Sequence, residues 1–268
     1  MTVPAVAATS PVGPVDAPIL LLGPSLGTST VVWERVVPAL ARHYRVVAWD
    51  LPGHGESPAA ADGFTVAELA DAVADAVSGL GVGPLFYAGV SLGGATGLEL
   101  MLRHSDLVRA AAIVASGARL GDPHAWHERA AKVRAQGTPS LVIPSAQRWF
   151  APGWVAREPE LSSRLLHILR DADDSSYARC CEALADYDVR GRLRDIQAPV
   201  AAVWGEHDAV APEQNAREIA DGVRRGRAVR VSGAAHLPPA EQPDAVAAVL
   251  LDFFAAADGP TPTTKEAG

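Results

Sequence analysis

Long apolar runs are missing from this 268-residue chain: no stretch approaches the ~20 residues that a membrane-spanning helix requires, so no membrane partner is expected. Residues 1 to 13 lack the basic segment and apolar core of an export signal, which makes the cytoplasm the expected location. Cysteine is almost absent. Cys180 and Cys181 are sequence neighbours in a predicted helix, poorly placed to bridge each other, and read as packed thiols of a reducing compartment. A basic stripe is absent too: the net charge is -8, with 23 basic residues interspersed among 31 acidic ones, which excludes a nucleic-acid surface. Metal ligation has little to build on. His124 and His127 stand three apart but no carboxylate or cysteine pattern accompanies them, so no metal site is expected.

What is present is an alternation of apolar runs and helical patterns. Pro18 to Leu22 is an unbroken apolar run followed by the turn-rich Gly23-Pro24-Ser25-Leu26-Gly27-Thr28-Ser29. A helix is predicted near Val32 to Ala41, then a strand over Tyr44 to Trp49 feeding the loop Leu51-Pro52-Gly53-His54-Gly55-Glu56-Ser57-Pro58. Thr65 and Glu68 make a capping box, after which Leu69, Val73 and Val77 recur at helical spacing. Further strands are predicted at Leu85 to Ala88, Leu107 to Val114, Val200 to Trp204 and Ala228 to Val231, with a final helix over Asp244 to Phe254. Strands separated by helices imply an α/β fold, a mostly parallel sheet covered on both faces. Between Arg119 and Arg194 the pattern is helical throughout. The expected organisation is therefore a core of residues 1-118 and 195-257, a helical cap inserted at 119-194, and a disordered tail at 258-268.

Gly89-Val90-Ser91-Leu92-Gly93 carries the chemistry. It reads G-x-S-x-G between a buried strand and a small-residue helix, the context in which a serine is held on a strained turn with its hydroxyl exposed at the sheet edge. A serine hydroxyl is a weak nucleophile and needs a base, which in turn needs an acid to hold its tautomer. Asp208, in the turn after the Val200 strand, is the expected orienting acid, and His236, in the loop after the last strand, the expected base. The order Ser, Asp, His is the one this architecture uses. Two backbone N–H groups are expected to receive the oxyanion: that of Leu92, next to the nucleophile at a helix start, and that of Leu26, in the loop after the first strand. His54 reads as a stabiliser of its glycine-rich loop, and His43, His104 and His167 as surface residues.

With these residues the chain resembles the α/β-hydrolase fold from Ile19 to Phe254. Within that fold it looks most like the 3-oxoadipate enol-lactonases of aromatic catabolism. The pointers are Gly23-Pro24-Ser25-Leu26-Gly27-Thr28, the Gly-Val-Ser-Leu-Gly-Gly elbow, Trp126-His127-Glu128-Arg129 with Lys132 and Arg134, Arg148-Trp149-Phe150, and Tyr177 to Ala183. The segment before Ile19 is short, so the first strand pair is expected to be reduced. The resemblance implies a small carboxylated lactone as substrate, opened by water to 3-oxoadipate without a cofactor; a monomer or homodimer is expected, the sequence leaving the choice open. Arg134 and Arg148 are the expected partners of the carboxylate, with Trp126 and Trp149 as apolar walls. The triad alone leaves open a carboxylesterase, a carbon-carbon bond hydrolase or a haloperoxidase-like enzyme, and a ligand receptor that kept the fold for binding.

Overall fold

The computed structural model describes residues 3-80 and 83-258. Six parallel strands form one sheet: β1 (Ile19–Gly23), β2 (Arg45–Ala48), β3 (Leu85–Val90), β4 (Val108–Val114), β5 (Val200–Gly205) and β6 (Gly226–Val231), in the spatial order β2-β1-β3-β4-β5-β6. Every residue of β1, β3 and β5 is buried, as continuous apolar runs covered on both faces must be. The edge strand β6 is exposed at Gly226, Arg227 and Arg230, and its Arg227 and Arg230 pair with Asp252 and Glu206. Charge on a free edge discourages pairing with another chain. The reduced first strand pair is what residues 3-17 show: two isolated antiparallel bridges, Ala8 to Trp49 and Val12 to Val46, flank β2.

The helices are α1 (Val37–Leu40), α2 (Val66–Ser78), α3 (Leu92–Arg103), α4 (Pro123–Gln136), α5 (Val142–Trp149), α6 (Trp154–Arg157), α7 (Pro159–Asp171), α8 (Asp174–Ala185), α9 (Glu213–Gly222), α10 (Pro238–Glu241) and α11 (Pro243–Asp258). The single helix expected over Val32 to Ala41 is instead a 3-10 turn at Thr30–Trp33 followed by the one-turn α1. Pro38 is the reason. It has no N–H to bond Glu34, so a continuous helix would break there, whereas near a helix start it is tolerated. The capping box forms as read: the Thr65 hydroxyl accepts the Glu68 N–H at 3.1 Å and Glu68 accepts the Thr65 N–H at 2.8 Å. Helices α4 to α8 all lie between β4 and β5, with no strand among the described residues of that connection. The last helix runs on to Asp258; the rest of the expected tail lies outside the described residues.

The register of the sheet assembles the site. Gly23 at the end of β1 pairs with Gly89 of β3, Val90 of β3 with Val114 of β4, and Gly205 of β5 with Val231 of β6. Parallel strands that end level place their following loops side by side. The loops carrying Leu26, Ser91, Asp208 and His236 therefore leave one edge of the sheet together.

Candidate active site

Ser91 sits where β3 turns into α3, at φ 53° and ψ -113°. For a residue with a side chain this conformation costs on the order of 1–3 kcal/mol, and it persists because the surroundings enforce it. The Ser91 N–H bonds the Val114 carbonyl at 2.9 Å, and its own carbonyl accepts the Ser116 hydroxyl at 2.7 Å. The flanking glycines are required by space. A Cβ on Gly89 would stand 2.3 Å from the Gly93 carbonyl oxygen, and one on Gly93 would stand 2.6 Å from that of Pro24. That second contact is also functional, because the Gly93 N–H bonds the Pro24 carbonyl at 3.0 Å and so ties the elbow to the loop bearing Leu26. Among the described residues, neither the Leu26 nor the Leu92 N–H finds an acceptor, which leaves both for an anion.

Asp208 and His236 are both buried and face each other, with His236 Nδ1 at 3.0 Å from one carboxylate oxygen and 3.2 Å from the other. Since a carboxylate only accepts, Nδ1 carries a proton, and in the neutral ring the lone pair is then on Nε2. Burial pushes the Asp208 carboxyl up, but the His236 ring and the N–H groups of Ala211 and Val210 outweigh it and hold it below its ordinary value. The acid therefore stays ionised. His54 holds the neighbouring loop: its Nε2 accepts the Gly27 N–H at 3.2 Å while Nδ1 donates to the Pro52 carbonyl at 2.9 Å.

Ser91 and His236 open into a cavity of about 210 Å³, smaller than the ~300–1,000 Å³ typical of drug-sized ligands. The helical connection between β4 and β5 supplies its outer wall. Asp122, the cap of α4, then Ala125, Trp126 and Arg129 line it at i, i+3, i+4 and i+7, joined by Arg148 and Trp149 of α5 and Tyr177 of α8. Arg129 lies over the Trp126 ring at 4.8 Å, the geometry of a cation on an aromatic face. Burial and then the nearby Arg129 charge lower Arg148 from its ordinary value. Among the described residues, neither arginine has an ion-pair partner. Asp122 is the one acid on this wall, and its Oδ1 accepts the His124 and Ala125 N–H groups.

The expectation for Arg134 needs correction. It forms a two-pronged, solvent-exposed pair with Glu182, 2.9 Å on the longer arm, and does not line the cavity. Arg134 is five residues beyond Arg129, about 140° round the helix from it. Arg129 was the cation to name, and its i+3 spacing from Trp126 was the available signal. Trp126, Arg148 and Trp149 line the cavity. His124 stands exposed beside Glu128, and no cluster of three or more metal-binding side chains forms among the described residues. No helix among them is long and apolar enough to cross a membrane.

Comparison with known proteins identifies the fold and the family. Residues 18-243 match the alpha/beta hydrolase fold family. A 3-oxoadipate enol-lactonase of Acinetobacter baylyi is 31% identical over 90% of this chain and 91% of its own. The crystal structure of the enol-lactonase from Burkholderia xenovorans LB400 superposes with a TM-score of 0.89 at 32% identity, covering 93% of this chain and 96% of that one. A pimeloyl-[acyl-carrier protein] methyl ester esterase of Neisseria meningitidis is 30% identical over 85% of this chain and 73% of its own. The chain is thus a hydrolase of the alpha/beta hydrolase fold and belongs to the 3-oxoadipate enol-lactonase family.

Proposed function

We propose that this enzyme opens 3-oxoadipate enol-lactone, a small carboxylated lactone, to 3-oxoadipate, with Ser91, His236 and Asp208 as its triad. The observation that carries the reading is the pair Arg129 and Arg148: two guanidinium groups without carboxylate partners face the same small cavity as Ser91. Holding like charges together there costs energy that an anionic substrate repays, and a guanidinium fork suits a carboxylate. Trp126 and Trp149 supply flat apolar walls for the ring.

His236 Nε2 takes the Ser91 proton as Oγ adds to the lactone carbonyl, and the N–H groups of Leu26 and Leu92 receive the oxyanion. Collapse breaks the ring carbon-oxygen bond. The ring oxygen leaves as an enol, protonated by His236, and the enol becomes the ketone while the acyl group remains on Ser91. Water, deprotonated by His236, then releases the second carboxylate. Asp208 keeps Nδ1 protonated throughout and stabilises the imidazolium. No step requires a cofactor.

A second reading, hydrolysis of a longer carboxylic ester, draws on the similarity to the methyl ester esterase and on a groove that continues past Arg148 and Ala209 between Phe150, Val155 and His207. Steady-state kinetics on the enol-lactone and on neutral esters separate the two. Arg129→Gln and Arg148→Gln should each raise KM for the lactone about 10- to 100-fold, the worth of one charged hydrogen bond, while sparing an uncharged ester. Faster turnover of neutral esters than of the lactone, or equal losses on both, would sink the lactonase reading.

A further inference from the structure

Glu241 is a buried carboxylate that the chemistry above does not use. It lies on the one-turn α10, five residues past His236, with 6% of its surface exposed. Its oxygens collect backbone donors from two separate parts of the chain. One accepts the Ala235 N–H at 2.8 Å and the Leu237 N–H at 3.3 Å, the two peptides that bracket His236. The other accepts the Ala151 N–H at 2.7 Å, two residues beyond Trp149 in the helical connection. The His236 N–H itself bonds the Trp149 carbonyl at 3.1 Å. Buried N–H groups with one well-placed acceptor are held in place, because moving away leaves them unsatisfied.

We propose that Glu241 is a positioning residue that fixes the backbone on both sides of His236 and locks that loop to the Trp149 wall of the cavity. The inference rests on His236 being the base of the hydrolysis. Because Ala235 and Leu237 are tethered to the same oxygen, the backbone that carries the imidazole cannot shift away from Asp208 without straining both bonds. The bond to Ala151 makes the far end of α5 part of the same clamp. The helical connection is therefore anchored at Trp149 to Ala151, beside the base.

The two oxygens can be separated by mutation. In Glu241→Gln the retained carbonyl oxygen can still serve Ala235 and Leu237, but the amide nitrogen then meets the Ala151 N–H donor to donor, which releases the wall and keeps the base. Glu241→Ala releases both. The readouts are the rate at which a fluorophosphonate labels Ser91, per folded molecule by circular dichroism, and kcat and KM on 4-nitrophenyl acetate and the enol-lactone. Glu241→Ala should slow labelling about 100-fold, as expected for a base displaced by about 1 Å. Glu241→Gln should keep labelling and kcat within about 5-fold and raise KM for the lactone about 10-fold, because binding must then re-order the released Trp149 wall. If Glu241→Ala does not fold, the Gln variant decides by its KM. Wild-type labelling in Glu241→Ala, or a loss matching only its unfolded fraction, would overturn the proposal, as would unchanged kcat and KM in Glu241→Gln. Wild-type labelling by His236→Ala would instead remove the base assignment on which the proposal rests.

Discussion

His54 offers a quantitative test of how the loop bearing Leu26 is held. Its ring is buried, with Nδ1 donating to the Pro52 carbonyl and Nε2 accepting from Gly27, a set of partners that fits only the neutral ring. Burial lowers its pKa from the ordinary 6.5 to about 4, against the opposing pull of the Pro52 carbonyl and Asp173. Between those two values the unfolded chain binds a proton that the folded protein refuses, so stability falls as pH falls. The contribution is complete above 6.5, declines by about 1.4 kcal/mol per pH unit, and is fully lost below about 4, for a total of about 3 kcal/mol. His54→Gln removes the titration while keeping an oxygen for the Gly27 N–H. Urea unfolding of both proteins at a series of pH values should give curves that converge by about 3 kcal/mol between about pH 7 and pH 4. Groups common to both proteins cancel in the difference. Parallel curves would mean that His54 is protonated in the folded state and that the Gly27 contact does not hold the loop.

Other consequences follow from the elbow and the triad. Asp208→Asn should lower kcat by about 10⁴-fold, because the amide would favour the wrong histidine tautomer, and an unchanged steady-state rate would take Asp208 out of that role. Ser91→Gly should melt higher than Ser91→Ala by the equivalent of about 1 kcal/mol, since glycine adopts positive φ freely and alanine keeps the strain. Equal melting temperatures in calorimetry would show that the turn stores no strain.

Most of the sheet and the four loops of the site could be read from the sequence, because both rest on local chemistry. Continuous apolar runs announce buried parallel strands, and G-x-S-x-G is a spatial necessity that the Gly89 and Gly93 contacts make explicit. The long-range clamps are different. Ser116 reaches Ser91 across a strand pair, and Glu241 reaches Ala151 across 90 residues, so nothing in the neighbourhood of either residue announces its partner. The broken helix at Val32 to Ala41 was legible, however, since Pro38 stood in its interior.

The arginines of the helical connection show where sequence reading stops and why. Composition offers many cations there and by itself favours none of them. Helical phase does choose: Asp122, Ala125, Trp126 and Arg129 form one stripe, and Val133 continues it into the core, whereas Arg134 turns toward Glu182 on α8. Phase alone still leaves Arg148 undetermined, because α5 begins only after a 3-10 turn at Thr138–Leu141 that resets the orientation of everything following. Which cap side chains line the cavity is thus set by the relative rotation of short helices. Irregular turns set that rotation, and the catalytic loops inherit theirs from the register of the sheet.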